Sequence, residues 1–141
     1  MPSTEPVPGP STEPSTDGER VVHAFLTRMG PTPAEVRRTV DGFLTDDCVW
    51  ENPGAPVCRG KPEIFALLPA DFARLEVRFR HLATAADTVL VERIEDMFRA
   101  DGTPIALNLK VMAAFELRGD LISAWRDYYD PTHLISERPD R

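Results

Sequence analysis

A chain of 141 residues with 42% hydrophobic and 28% charged side chains has the size and composition of one soluble globular domain built on one core. Its net charge of −7 argues against nucleic acid or an anionic membrane surface as a partner, since both require a basic face to displace counterions. An apolar small molecule is the partner that suits it better.

Residues 1–18 are almost all Pro, Ser, Thr, Gly and acid, with Pro2-Ser3-Thr4-Glu5-Pro6 repeated as Pro10-Ser11-Thr12-Glu13-Pro14. A segment with so little to bury cannot offset its ordering entropy, so composition predicts a disordered tail over 1–18 and a single domain over 19–141. No basic segment followed by an apolar run opens the chain. Nothing in it approaches the ~18 apolar residues of a spanning helix, which points to a cytoplasmic protein.

From Glu19 the pattern is helical: Val21, Val22, Phe25, Leu26 and Met29 recur at helical spacing until Gly30-Pro31 stops the run. A second helix has a clear start, with Thr32 at the cap, Pro33 at the first helical position and Glu35 three residues after the cap. Its apolar positions are Val36, Val40, Phe43 and Leu44. Cys48 to Asn52 reads as a short strand ended by Pro53-Gly54, with Cys48, Trp50 and Asn52 on one face. The spacing of Cys48 and Cys58 matches neither a zinc ribbon nor a redox CxxC pair, so both read as small buried or half-buried thiols.

Pro62 can open a third helix carrying Ile64, Phe65, Leu67 and Leu68. Beyond it, 75–83, 89–99, 105–117 and 121–129 read as strands separated by the turn signals Asp87-Thr88, Asp101-Gly102 and Gly119-Asp120. That order predicts an α+β domain, three helices packed on a curved, mostly antiparallel sheet around an apolar cavity. Ile105, Leu107, Leu109, Val111, Ala113, Phe115 and Leu117 form an apolar line expected to face inward throughout. His81 shares the Leu75, Val77 and Phe79 face and is expected in the core.

Two segments put charge on these strands. In Val91-Glu92-Arg93-Ile94-Glu95, alternation projects Arg93 and Glu95 the same way, beside Val91 and Met97; in Trp125 to Asp130 it projects Asp127 with Trp125 and Tyr129. If those faces meet inside the fold, a cation lies between two carboxyls. Burying such groups costs several kcal/mol unless they pair, so the constellation points to chemistry. Strand pattern alone leaves a solvated ion pair open, because the opposite face, with Leu90, Glu92, Ile94, Asp96 and Phe98, is equally mixed. His23, His81 and His133 lie on separate elements and form no metal set. Neither GxGxxG, GxxxxGK nor GxSxG occurs, so no cofactor is expected.

At these residues the sequence resembles the limonene-1,2-epoxide hydrolase family, within the NTF2-like (SnoaL-like) superfamily of cone-shaped folds. The likeness spans about residues 19–132. Its specific parts are Asn52 with Gly60 eight positions later, Glu92-Arg93-Ile94-Glu95, and Trp125-Arg126-Asp127-Tyr128-Tyr129-Asp130. The resemblance implies a site of Asp, Arg and Asp, assisted by a Tyr and an Asn that hold the attacking water. It puts the base at Asp127, the Arg at Arg93, the acid at Glu95 and the Asn at Asn52. Trp50, Met97, Leu109, Val111 and Tyr129 would line the substrate pocket, and a homodimer paired through the exposed sheet face is implied as well.

The chain departs from the family at two positions. Glu95 stands where the family has Asp, which keeps the chemistry but moves the proton outward by one methylene. Trp50 stands where the family has the water-holding Tyr, and an indole N–H donates but cannot accept. The leading expectation is a cofactor-independent epoxide hydrolase acting on a small or medium apolar epoxide, Asp127 taking the water's proton and Glu95 protonating the leaving oxygen. An epoxide-opening cyclase or isomerase of the same fold, with a substrate group replacing the water, remains open, as does a non-catalytic small-molecule-binding module.

Overall fold

The computed structural model describes residues 13–135 of the chain. Its first helix, α1 (Asp17–Thr27), begins two residues earlier than the apolar periodicity suggests. Thr16 caps it by accepting from the Glu19 amide at 3.0 Å, so Asp17 and Gly18, which composition groups with the tail, form its first turn. Residues 1–12 of the expected tail lie outside the described residues. The Glu19 carboxylate accepts from the Ser15 amide at 3.0 Å and from the Thr84 hydroxyl at 2.5 Å, tying the helix start to the sheet. Val22, Phe25 and Leu26 are fully buried, each worth about 1.5–3 kcal/mol relative to exposure.

Gly30 turns the chain into α2 (Pro33–Phe43). Its φ of +125° and the 2.6 Å separation of a Cβ placed there from the Ala73 carbonyl oxygen leave no room for another residue. Thr32 caps α2 through the Glu35 amide, with Pro33 in the first turn, as its sequence predicts. The chain then enters β1 (Leu44–Glu51), passes through the two-residue strand β2 (Cys58–Arg59), and forms the short helix α3 (Lys61–Leu67). Four strands follow: β3 (Phe72–Ala85), β4 (Thr88–Arg99), β5 (Pro104–Arg118) and β6 (Leu121–Tyr128). A single 3-10 turn over Pro131–His133 comes after them.

The six strands form one mixed sheet in the order β2-β1-β6-β5-β4-β3. The meander β3 to β6 is antiparallel, while β1 runs parallel to β6 with Trp50 level with Trp125 and Glu51 level with Arg126. Helices α1 and α2 pack over β3, and α3 packs over β1 and β2. The core lies between the helices and the inward sheet face, where Phe25, Phe115 and Trp125 meet.

Two expectations about inward faces are corrected. Leu107 is 49% exposed, because a bulge in β5 between the pairs Glu95↔Leu109 and Met97↔Ala106 inserts an extra residue and turns it outward. Asn108 sits there with φ +52°. His81 is likewise outside the core: a register shift between Phe79 and His81 moves it to the solvent face, where its Nδ1 lies 2.5 Å from Glu92. Leu82 takes its place against the core.

Candidate active site

The site is assembled across three neighbouring strands whose registers bring the charged residues of β4 and β6 near one another. Val91 on β4 pairs with Ala113 on β5, which pairs with Asp127 on β6, and Arg93 pairs with Val111 one step along. Strand alternation then aims Arg93, Glu95 and Asp127 at the helices. All three are buried, at 2%, 6% and 7% exposure.

Arg93 joins the two carboxyls. Its Nε donates to Glu95 Oε1 at 2.7 Å and its Nη2 donates to Asp127 Oδ1 at 3.1 Å. Trp125 Nε1 also donates to Asp127 Oδ1, at 3.0 Å. One oxygen of each carboxyl is thus engaged, while Glu95 Oε2 and Asp127 Oδ2 carry no hydrogen bond from the described residues. Burial, reinforced by the charge of Asp127, pushes the Glu95 carboxyl above the ordinary range despite the opposing pull of Arg93. The two carboxylates hold the Arg93 guanidinium charged against the cost of its own burial.

These groups form the polar end of a cavity of about 520 Å³, walled otherwise mostly by apolar side chains. Leu26 of α1, Met29 just past its end, and Leu68, Phe72, Leu75 and Ile105 contribute to the wall. Of the residues expected to line it, Trp50, Met97, Leu109 and Tyr129 do so. Val111 is buried opposite Arg93 and is not among the lining residues. Trp50 stacks on Trp125 with ring centroids 4.5 Å apart, an arrangement fixed by their parallel pairing. Asn52, just past the end of β1, accepts from the Tyr129 hydroxyl at 3.1 Å.

Three donors at this end are buried without a partner among the described residues: Trp50 Nε1, Asn52 Nδ2 and Arg93 Nη1. Unpaired buried donors cost about 1–3 kcal/mol each, so their concentration around one cavity marks a place for an oxygen-bearing ligand. The role of Trp125 as a donor to Asp127 was not expected from sequence, although its i, i+2 spacing on the same strand face is visible there. Contributions from α1 carry no comparable signal, since helical periodicity does not distinguish core from cavity wall. Among the described residues no cluster of three or more His, Cys, Asp or Glu could hold a metal ion. None of their helices is long and apolar enough to cross a membrane.

An α+β fold with helices on one face of its sheet and a buried Arg between two carboxyls at the end of a cavity is an arrangement of the NTF2-like class. Residues 16–139 match the family model for the limonene-1,2-epoxide hydrolase catalytic domain, and the chain belongs to that family. It is 32% identical to the epoxide hydrolase EphG of Mycobacterium tuberculosis (strain ATCC 25618 / H37Rv) over 111 residues, 77% of this chain and 70% of that protein. Among solved structures it resembles an M. tuberculosis LEH-like epoxide hydrolase, with TM-score 0.66 and 28% identity over 84% of this chain and 86% of the other. A similar fold, at TM-score 0.66 and 13% identity, occurs in an NTF2-like protein of unknown function from Burkholderia pseudomallei K96243, over 84% of this chain and 94% of that one.

Proposed function

We propose that this protein is a cofactor-independent epoxide hydrolase that adds water to a small or medium apolar epoxide in one step, with Asp127 as general base and Glu95 as general acid. The observation that carries this reading is the division of oxygens in the buried set. Asp127 Oδ1 is held by Arg93 and Trp125 and Glu95 Oε1 by Arg93, so one oxygen of each carboxyl is left for chemistry. In the reaction a water gives one proton to Asp127 Oδ2 as its oxygen bonds to a ring carbon. The ring C–O bond breaks, and the proton on Glu95 Oε2 passes to the leaving oxygen. A proton returned from Asp127 to Glu95 through solvent resets the site.

Arg93 supports both ends of this exchange. With one carboxyl protonated, the set of one guanidinium and one carboxylate is neutral overall; both carboxyls ionised would leave a buried net charge of −1, which low dielectric penalises. The step moves the proton deficit from one carboxyl to the other and leaves the total unchanged. Arg93 bonds both, so it stabilises whichever is ionised.

Turnover of an apolar epoxide in ¹⁸O-labelled water tests the reading. The expected product is a diol with one solvent oxygen, and Asp127→Asn should lower kcat by roughly 10²–10⁴-fold. Unchanged turnover in that variant would remove Asp127 as base. An isomeric product of unchanged mass would instead support a cyclase or isomerase, the reading favoured by Trp50, whose indole occupies the position that family resemblance gives to a water-holding tyrosine.

The same proposal extends to assembly and compartment. The outward sheet face carries Leu90, Met112 and Tyr128 among charges of both signs, a pattern that suits pairing with a second copy. Two buried free thiols, Cys48 and Cys58, suit the cytoplasm.

A further inference from the structure

The chain has two tyrosines. Tyr128 is 59% exposed on the outward sheet face, so Tyr129 is the one phenol that reaches the cavity. It follows the last residue of β6 and continues the inward alternation of Trp125 and Asp127. Its hydroxyl donates to Asn52 Oδ1 at 3.1 Å, bridging the ends of two parallel neighbouring strands, β6 and β1. Burial, helped by the Asp127 and Glu95 carboxyls, pushes this hydroxyl up to about 12, so it keeps its proton for that bond.

Resting on the hydrolase reading above, we propose that Tyr129 is the positioning residue for the nucleophile: its hydroxyl locks the Asn52 carboxamide in one orientation, and Asn52 in turn orients the attacking water. The argument is one of donors and acceptors. With Oδ1 engaged by Tyr129, the group left on Asn52 is Nδ2, a buried donor with no partner among the described residues. Such a donor binds a lone pair of the water while Asp127 Oδ2 takes one of its protons, leaving the second lone pair for the ring carbon. Trp50 does not do this work: among the described residues its indole Nε1 has no hydrogen-bond partner and so makes no bond to the Asn52 carbonyl end. Without the phenol, the carboxamide is free to present Oδ1 or Nδ2 to the cavity. A water held in two ways spends part of its time misaligned for attack.

Tyr129→Phe removes the hydroxyl and little else. Kinetics of Y129F, N52A and the double variant on one epoxide, beside D127N, give the first readout. Y129F should lower kcat by about 10–100-fold while KM moves less than about threefold, the signature of lost alignment rather than lost substrate binding. The double variant should be no slower than N52A, because Tyr129 acts through Asn52. The second readout does not depend on turnover: the Asn52 side-chain amide signals in ¹⁵N NMR should shift in Y129F while the backbone spectrum elsewhere stays in place. Wild-type kcat in Y129F, a loss confined to KM, or losses that multiply in the double variant overturn the proposal, as do unmoved amide signals. Failure of the hydrolase reading looks different: D127N then retains turnover or no diol forms, and the amide signals alone decide whether Tyr129 holds Asn52.

Discussion

At Glu95 opposing forces act on one proton. Burial and the charge of Asp127 favour the neutral acid, Arg93 at 2.7 Å favours the carboxylate, and burial leads. A carboxyl raised in the folded state keeps a proton that the unfolded chain releases. Its contribution to stability is therefore complete below the ordinary value of 4.5 and is lost as pH rises through the folded value. In the proposed mechanism activity depends on the same proton, so kcat should fall on the alkaline side as Glu95 ionises. Glutamine is the isostere of the neutral acid, with no proton to deliver. Glu95→Gln should cost about 10²–10⁴-fold in kcat and abolish the alkaline limb. Stability in urea should change by less than about 1 kcal/mol, whereas deleting one partner of a fully ionised buried pair costs about 3–5 kcal/mol. A loss of that larger size would mean that Glu95 rests as a carboxylate.

Among the elements, β5 shows how a strand departs from alternation to build a site. The bulge at Leu107 and Asn108 brings Ala106 to the same side as Leu109, which lies opposite Glu95, and a second register shift between Met97 and Phe98 buries Ile105 as well. Asp96 pins the bulge by accepting from the Asn108 amide at 2.7 Å. Arg78 bridges the pair, donating to Asp96 Oδ2 at 3.1 Å and to Asn108 Oδ1 at 2.7 Å. The backbone bond to Asn108, aided by Arg78, draws the Asp96 carboxyl below its usual range, so this support weakens as pH falls through the lowered value. With φ +52° at position 108, glycine is accommodated without steric cost and a β-branched residue is not. Asn108→Gly should stay within about 0.5 kcal/mol of the parent in urea denaturation, while Asn108→Val should lose roughly 1–2 kcal/mol.

Elements bounded by local chemistry were the legible ones. Thr32-Pro33 marked α2, and Asp101-Gly102 and Gly119-Asp120 marked the turns on either side of β5, because each signal is read within a few residues. Both misplaced residues, Leu107 and His81, lie at register shifts, where an extra residue reverses the faces without any break in hydrophobicity. At the site, alternation foresaw the shared faces of Arg93 with Glu95 and of Asp127 with Trp125. That Asn52 reaches Tyr129 depends on the parallel pairing of β1 with β6, a contact between distant segments that neither segment encodes locally. Val111, in step with Leu109 along β5, packs in the core because it lies opposite Arg93, where the guanidinium and its partners fill the space.

For the whole molecule, the outward sheet face presents a row of Glu92, Met112 and Tyr128 across β4, β5 and β6, next to a row of Leu90, Ala114 and Arg126. Met112 is 49% exposed at the centre of that face. Apolar centres ringed by charges of both signs suit a two-fold interface, in which each cation meets an anion of the other copy. Such a dimer would leave the cavity untouched, because no side chain of these rows is among those that line it. Met112→Asp would place a carboxylate beside Glu92 in both copies, twice over in a symmetric pair. Like charges brought together at an interface cost several kcal/mol, so the dimer should weaken, its dissociation constant rising by at least roughly 10²-fold in sedimentation equilibrium. The epoxide-opening kcat of the resulting monomer should match the parent's. A parent already monomeric at tens of micromolar would reject the assembly, and a dissociated variant without activity would show that the interface supports the site from behind.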